Sequence, residues 1–447
     1  MKEKLYPKAQ AVISGIGLAV LCVLFALWLG SGRREAAEVI AALVCTALFA
    51  CVCLRFVPAW FSLWFERRGK KKAHGDKGRL SSPQLFAVGF VWAGVNYLCV
   101  WLVLHYVNQN LTAGEFLQFW KSADAFHYLC IARDWYLSEG ELDRVVQLVF
   151  LPGYPITVRF AALLIRDYVL SGLLVSTLCF AGALCIFYRW VLTEYGSGAA
   201  ERAVAFLCLT PGSFFFFAPM SESLFLLLTC MCLLSLQRRR WLLAGLFGSL
   251  ASFTRSLGLM LFVPLFLEFV GDLLHGKKEC ARGICAMLMV PLGFGAYLLV
   301  NYLVAGNPFQ FMIYQKEHWY QSLGLFFNTA AYQTRYALSA AAKGNRETLM
   351  GLWLPNLTAV FGTLVILLFG AKKLRASETA WSIAYYAIAI GATWLLSAPR
   401  YMAVLLPLPI TMGLVSEKKS ARVALYALWA LGSAYYLVMF ALRRSVW

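Results

Sequence analysis

The residues best suited to chemistry lie in Trp120-Lys-Ser-Ala-Asp-Ala-Phe-His-Tyr128, a polar stretch between two long apolar runs. Ionisable groups held close to hydrocarbon are costly and are functional candidates by default. Asp124 has the type needed to take a proton from an attacking hydroxyl. His127 follows three residues later, on the same face of a helix, and could orient a base or bind phosphate. Further candidates are Glu222 in Pro219-Met-Ser-Glu-Ser223, Arg255 in Thr254-Arg-Ser256, and Arg400 in Ser397-Ala-Pro-Arg-Tyr401. Gln315 and His318 stand in Tyr314-Gln-Lys-Glu-His-Trp319. Arginine offers fixed donors to phosphate and never loses its charge. Carboxylates and arginines facing one cavity suit base-assisted attack on a substrate with an anionic leaving group. Arginine can hold such an anion by itself, so neither metal nor other cofactor is expected.

Each candidate also has a plainer reading. Asp124 could cap or hydrate an interfacial helix, and His127 could be one more interfacial polar group. Glu222 could be a helix amino-terminal charge. Arg400 could snorkel to headgroups. Arg255 is hard to explain as packing unless it pairs with a carboxylate or phosphate.

These residues need a scaffold, and composition defines it. The chain has 447 residues, 61% of them hydrophobic, with mean hydropathy +0.68. Soluble domains are only about 45–50% apolar, and a span takes roughly 20 apolar residues. An all-α, polytopic transmembrane bundle of about 12–13 spans is predicted. The first run, Ala11–Gly30, follows basic residues but lacks a convincing cleavage site, so it reads as a helix.

The net charge of +18 does not point to nucleic acid. Basic residues gather in short connections: Lys2 to Lys8, Arg67 to Arg79, Arg238 to Arg240, Lys277 to Arg282, Lys372 to Arg375, and Lys418 to Arg422. Such connections stay cytoplasmic. Two loops then fall outside, about 108–150 and 305–347. The first is acidic, with Glu115, Asp124, Asp134, Glu139, Glu141 and Asp143. Within it Phe116, Phe119, Trp120, Ala123, His127, Ile131 and Tyr136 recur at helical spacing, predicting one amphipathic helix at the interface. Ala203–Pro219, Thr379–Leu396 and Tyr401–Val415 read as spans. Trp241–Val270 is flanked by basic loops yet too short for two spans, so two short helices meeting near Thr254-Arg255-Ser256 are predicted. Most Trp and Tyr are expected in interfacial belts rather than on a sugar platform. Ten of the 13 cysteines sit in apolar runs, and Cys230-x-Cys232 lacks the second pair that a zinc site needs, so free thiols are expected. The chain divides into residues 1–84, two helices and a basic loop, and 85–447, the main membrane domain.

The order of these motifs resembles the PIG-V-type mannosyltransferases of the C-type integral-membrane glycosyltransferase superfamily. The matching elements are Trp120 to Tyr136 with Asp124, His127-Tyr128 and Ile131-Ala132, then Pro152-Gly-Tyr-Pro155 and Ser221-Glu-Ser-Leu-Phe225. Thr254-Arg-Ser-Leu-Gly-Leu259, Gly306-Asn-Pro308 with Gln315 and Trp319, and Pro399-Arg-Tyr401 follow. The position before the aspartate, commonly Trp in that family, is Ala123, and two spans precede the matching stretch.

The resemblance implies transfer of a hexose, expected to be mannose, from a polyprenyl- or dolichyl-phosphate donor with inversion. Asp124 would be the general base, and Arg400 or Arg255 would hold the departing phosphate. His127, Glu222, Gln315 and His318 would position sugar or acceptor. The implied partners are that donor, membrane lipids and a lipid, glycan or protein acceptor, with an accessory subunit compatible. Short loops without a retrieval signal suggest a bacterial plasma membrane and a cell-envelope acceptor, or the endoplasmic reticulum in a eukaryote. The site would be extracytoplasmic. The main alternative is a transporter or flippase of lipid-linked saccharides, which should show an internal repeat and mid-membrane ionisable groups. A third reading, a glycan ligase or polymerase, would carry a larger late outside loop.

Overall fold

The computed structural model describes residues 2–66, 78–136, 146–277 and 280–446. Most of the Arg67–Arg79 run lies outside the described residues, as do Glu139, Glu141 and Asp143. The first helices are α1 (Lys2–Gly30), α2 (Ala36–Phe65), α3 (Ser82–Val107), α4 (Ala113–Phe119), α5 (Asp124–Asp134) and α6 (Gly153–Ile165). There follow α7 (Tyr168–Tyr195), α8 (Ser197–Cys208), α9 (Glu222–Gln237), α10 (Trp241–Thr254), α11 (Ser256–Leu274), α12 (Cys280–Ala305) and α13 (Gln310–Trp319). The last are α14 (Phe326–Ala342), α15 (Arg346–Gly370), α16 (Ala376–Ile390), α17 (Ala398–Ala403), α18 (Pro407–Val415) and α19 (Lys419–Ala441). The described residues contain no strand, only an isolated bridge between Leu323 and Ala392.

Among the described residues eight helices are long and apolar enough to cross a membrane: α1, α2, α3, α7, α11, α12, α15 and α19. The protein is a multi-pass helical membrane protein. The expected count was larger because several predicted spans are broken. Ala203–Pro219 stops being α-helical after Cys208, where Pro211 and Gly212, at φ 88°, turn the chain into a 3-10 turn. Tyr401–Val415 is split between α17 and α18. The short α9 is surrounded by protein, with most of its side chains buried.

Small residues let helices approach closely, as is common in membranes. A Cβ at Gly293 of α12 would stand 1.9 Å from the Ser249 carbonyl oxygen of α10. The N-terminal pair is packed into the bundle. Phe49 of α2 lies 4.3 Å from Phe326 of α14 between ring centroids. Trp28 donates to Asn328 Oδ1 at 2.8 Å, and Trp64 to the Leu267 carbonyl at 3.0 Å.

The predicted amphipathic helix after α3 is two helices, not one. α4 ends at Phe119, and α5 begins only after Ala123, whose φ is 51°. The apolar spacing persists across the break because both pieces bury the same side. α6 then packs on α7 and α10: Tyr154 donates to the Gly172 carbonyl at 2.9 Å, and its hydroxyl pairs with Ser176 Oγ at 2.8 Å. Gly153 makes the approach to α10 possible, since a Cβ there would meet Thr254 Oγ1 at 2.5 Å and its Cα at 2.9 Å. Gly153→Ala should therefore cost roughly 1–3 kcal/mol, read as a lower unfolding temperature in detergent. A wild-type melt would mean that α6 is free to slide.

The two ends of the bundle carry separate ion clusters. α9 runs from Glu222 to Gln237, about 24 Å of helix. At its far end Gln237 donates to Glu194 at 3.3 Å. There Arg375 meets Glu194 and Glu268, both at 3.1 Å, and Arg239 meets Glu268 at 2.8 Å. This end holds the basic connections Arg238–Arg240 and Lys372–Arg375. The near end holds Glu222.

Candidate active site

Around Glu222 the structure gathers four of the sequence candidates into one chain of contacts. Asp124 is the first residue of α5, where a helix start favours negative charge. Arg400 lies in α17, whose start is set by Pro399. Arg255 occupies the extended link between α10 and α11 (φ −148°, ψ 138°), so its side chain turns inward between two helix ends. Glu222 opens α9 and is fully buried.

The Nη1 of Arg400 donates to Asp124 Oδ2, and its Nε donates to Glu222 Oε1. Arg255 Nη1 donates to the same Glu222 oxygen and, at 3.0 Å, to Ser221 Oγ. Tyr128 OH completes the chain 2.9 Å from Ser221 Oγ. Two carboxylates face two guanidiniums, so the cluster is neutral as buried charge requires. Each guanidinium has five N–H donors, and these contacts leave several for an anion. Aromatic faces back both cations: Phe215 lies 5.4 Å from the Arg400 guanidinium and Tyr401 lies 5.3 Å from that of Arg255.

A cavity of about 210 Å³ opens on this cluster. Asp124, Tyr128, Arg255 and Arg400 line it together with Phe311, Gln315, Trp319, Gln321 and Trp394.

Three sequence candidates stand off the cavity wall. Glu222 lies behind the arginines and holds them. His318 is exposed, 6.0 Å from Tyr314 and 6.2 Å from Trp319 between ring centroids. His127 stacks on Phe150 at 4.7 Å, and its Nδ1 is buried without a hydrogen-bond partner. Burial lowers the His127 imidazole below its ordinary value of 6.5, and Asp124 partly opposes this. The unfolded chain then binds the proton first, so this contribution to stability is complete above pH 6.5 and is lost as pH falls through the folded value. The drop in melting temperature from neutral to mildly acidic pH should shrink in His127→Asn; an identical drop in wild type and variant would remove His127 as a contributor.

Tyr128, Gln321, Trp394 and Tyr401 line the cavity but were not singled out as site residues. Trp319 and Trp394 are the tryptophans that line it. Phe311, Gln315 and Trp319 share one face of α13 at four-residue spacing, a signal present in the sequence. Gln321 and Trp394 meet across 73 positions and leave no local signature.

Fold and site together define a class: a multi-pass helical membrane protein with a polar cavity at one end, lined by a carboxylate and two arginines. Within that class the chain is similar to GPI alpha-1,6-mannosyltransferase 2 of Rattus norvegicus, 32% identical over 180 residues, 37% of this chain and 33% of that protein. The same protein from Mus musculus is 29% identical over 211 residues, 43% of this chain and 39% of the relative. That from Cricetulus griseus is 33% identical over 180 residues, 37% of this chain and 33% of the relative. The matched stretches thus span about a third to two fifths of those relatives. No family model matches the chain. Among solved structures it is similar to ArnT from Cupriavidus metallidurans, determined with undecaprenyl phosphate bound, at 15% identity and a TM-score of 0.47, over 76% of this chain and 62% of that one.

Proposed function

We propose that the protein is an integral membrane glycosyltransferase that moves a hexose, mannose by similarity to its relatives, from a polyprenyl-phosphate-linked donor to an extracytoplasmic acceptor. The observation carrying this reading is the chain Asp124–Arg400–Glu222–Arg255, of which Asp124, Arg400 and Arg255 line the cavity and Glu222 lies behind them. Asp124 accepts the proton of the acceptor hydroxyl as its oxygen attacks the anomeric carbon. The bond from that carbon to the phosphate oxygen breaks on the opposite face, giving inversion. The lipid monophosphate leaves with its charge held by Arg400 and Arg255.

The Asp124–Arg400 contact adds an order to these events. A donor phosphate competes with Asp124 for Arg400, and winning it frees the carboxylate. The base is thereby released when the donor is seated. The cavity lies at the opposite end of α9 from the Arg238–Arg240 turn. Basic connections favour the cytoplasm, which supports an outward-facing site supplied by a sugar that has crossed the bilayer on a lipid.

The test uses protein in liposomes with radiolabelled polyprenyl-phosphate-mannose and host membrane lipids as acceptor. Label is expected in a new product. Label that crosses the bilayer without entering a product would replace the transferase reading with a flippase.

A further inference from the structure

The uncharged side of the cavity has a hydrogen-bond order that can be read without ambiguity. Gln321 Nε2 lies 2.6 Å from the Trp394 carbonyl, which can only accept, so this atom is the amide nitrogen. Gln321 therefore turns its Oε1 toward Gln315, and Gln315 must meet it with Nε2, at 2.9 Å. That contact commits Gln315 in turn: its amide nitrogen faces Gln321, and its Oε1 remains for a donor from the cavity it lines. A backbone carbonyl thus fixes two side-chain amides in series.

The frame around the relay is held by hydrogen bonds. Thr393 N donates to the Ser322 carbonyl at 2.9 Å, Ser322 N to Thr393 Oγ1 at 2.9 Å, and Gly324 N to the Gly391 carbonyl at 2.6 Å. These bonds tie the segment carrying Gln321 to the segment carrying Trp394. Trp394 itself stacks on Tyr332 at 5.7 Å and 21°, and its amide neighbour Leu395 N donates to Tyr332 OH at 2.7 Å. Residues 394–400 run from this wall directly to Arg400, so the amide side and the ionic side share one support.

A fixed acceptor beside indole rings matches the chemistry of a pyranose, which has hydroxyl donors at its rim and apolar C–H faces. We infer that Gln315, aimed by Gln321 and backed by Trp394, reads one ring hydroxyl of the hexose. The identity of the ring rests on the transferase reading; the orientation of the amides does not. Gln321 is a positioning residue, and Gln315 is the group that touches sugar.

The test compares polyprenyl-phosphate donors whose mannose lacks one ring hydroxyl at a time. Wild type should disfavour one of them by about tenfold or more in kcat/KM, the scale of one polar contact left unmade. Gln315→Leu and Gln321→Leu should erase that preference while leaving the ranking of the other analogues unchanged. A general loss of packing would lower all donors together. Equal discrimination by wild type and both variants overturns the inference and leaves the transferase standing, as does a wild type indifferent to every analogue. A second readout needs no turnover: quenching of tryptophan fluorescence by methyl mannoside, expected to saturate in wild type and to weaken about tenfold in Gln321→Leu. Binding that depends on Gln321 without any transfer keeps the subsite and ends the transferase reading. Absence of Gln321-dependent binding and of Gln321-dependent discrimination ends the subsite. Should Gln321→Leu fail to fold, Gln315→Leu decides the same questions.

Discussion

Asp124→Asn should lower kcat about 10²–10⁴-fold while lowering, rather than raising, KM for the lipid-phosphate donor. The first effect is loss of the proton acceptor. The second follows from the contact between Asp124 and Arg400. An aspartate competes with the donor phosphate for that guanidinium, and a neutral amide competes less. A fall in both constants is the signature of removing a ground-state interaction together with a transition-state one. The fold should tolerate the change, because the Asp124 side chain is 33% exposed and Arg400 keeps Glu222. Initial rates of labelled-mannose transfer against donor concentration give both constants. Near-normal kcat would take the base away from Asp124. A raised KM with a small loss of kcat would recast Asp124 as a donor-binding group.

The parts of this site that were legible in the sequence are those whose cost is visible locally. Arg255 between two apolar runs has no cheap explanation, and the short run between basic loops already predicts helices meeting near it. The structure places that junction between Thr254 and Ser256. Asp124 and Arg400 stand out for the same reason, though their contact spans 276 positions. The short helices were hidden because hydropathy counts apolar residues without asking whether lipid or protein covers them. Ser197–Cys208 and Pro407–Val415 bury most of their apolar residues inside the bundle. The break before α5 was hidden differently. Ala123 carries no turn signature, yet it takes a positive φ that favours glycine. The amide relay depends on a backbone carbonyl, which no side-chain pattern encodes.

Glu222 is where position and charge make the largest prediction for stability. It is buried, does not itself line the cavity, and receives both arginines on one oxygen. Glu222→Gln keeps the shape and removes the charge, leaving Arg400 with Asp124 and depriving the buried Arg255 guanidinium of the carboxylate it meets. Breaking a buried pair from one side typically costs about 3–5 kcal/mol, so a large fall in unfolding temperature is expected. Adding Arg255→Met to Glu222→Gln removes the surplus positive charge and should recover much of that loss, since neighbouring charges are coupled and their effects do not add. Donor binding should stay impaired in the double variant, because Arg255 is one of the two groups offered to phosphate. Stability would then return without function, separating the role of Glu222 in neutralising the cluster from the role of the arginines in the cavity. If Glu222→Gln melts like wild type, the guanidiniums do not need that carboxylate. The neutral cluster would then be incidental to the fold, and the arginines would have to be held by their aromatic neighbours Phe215 and Tyr401.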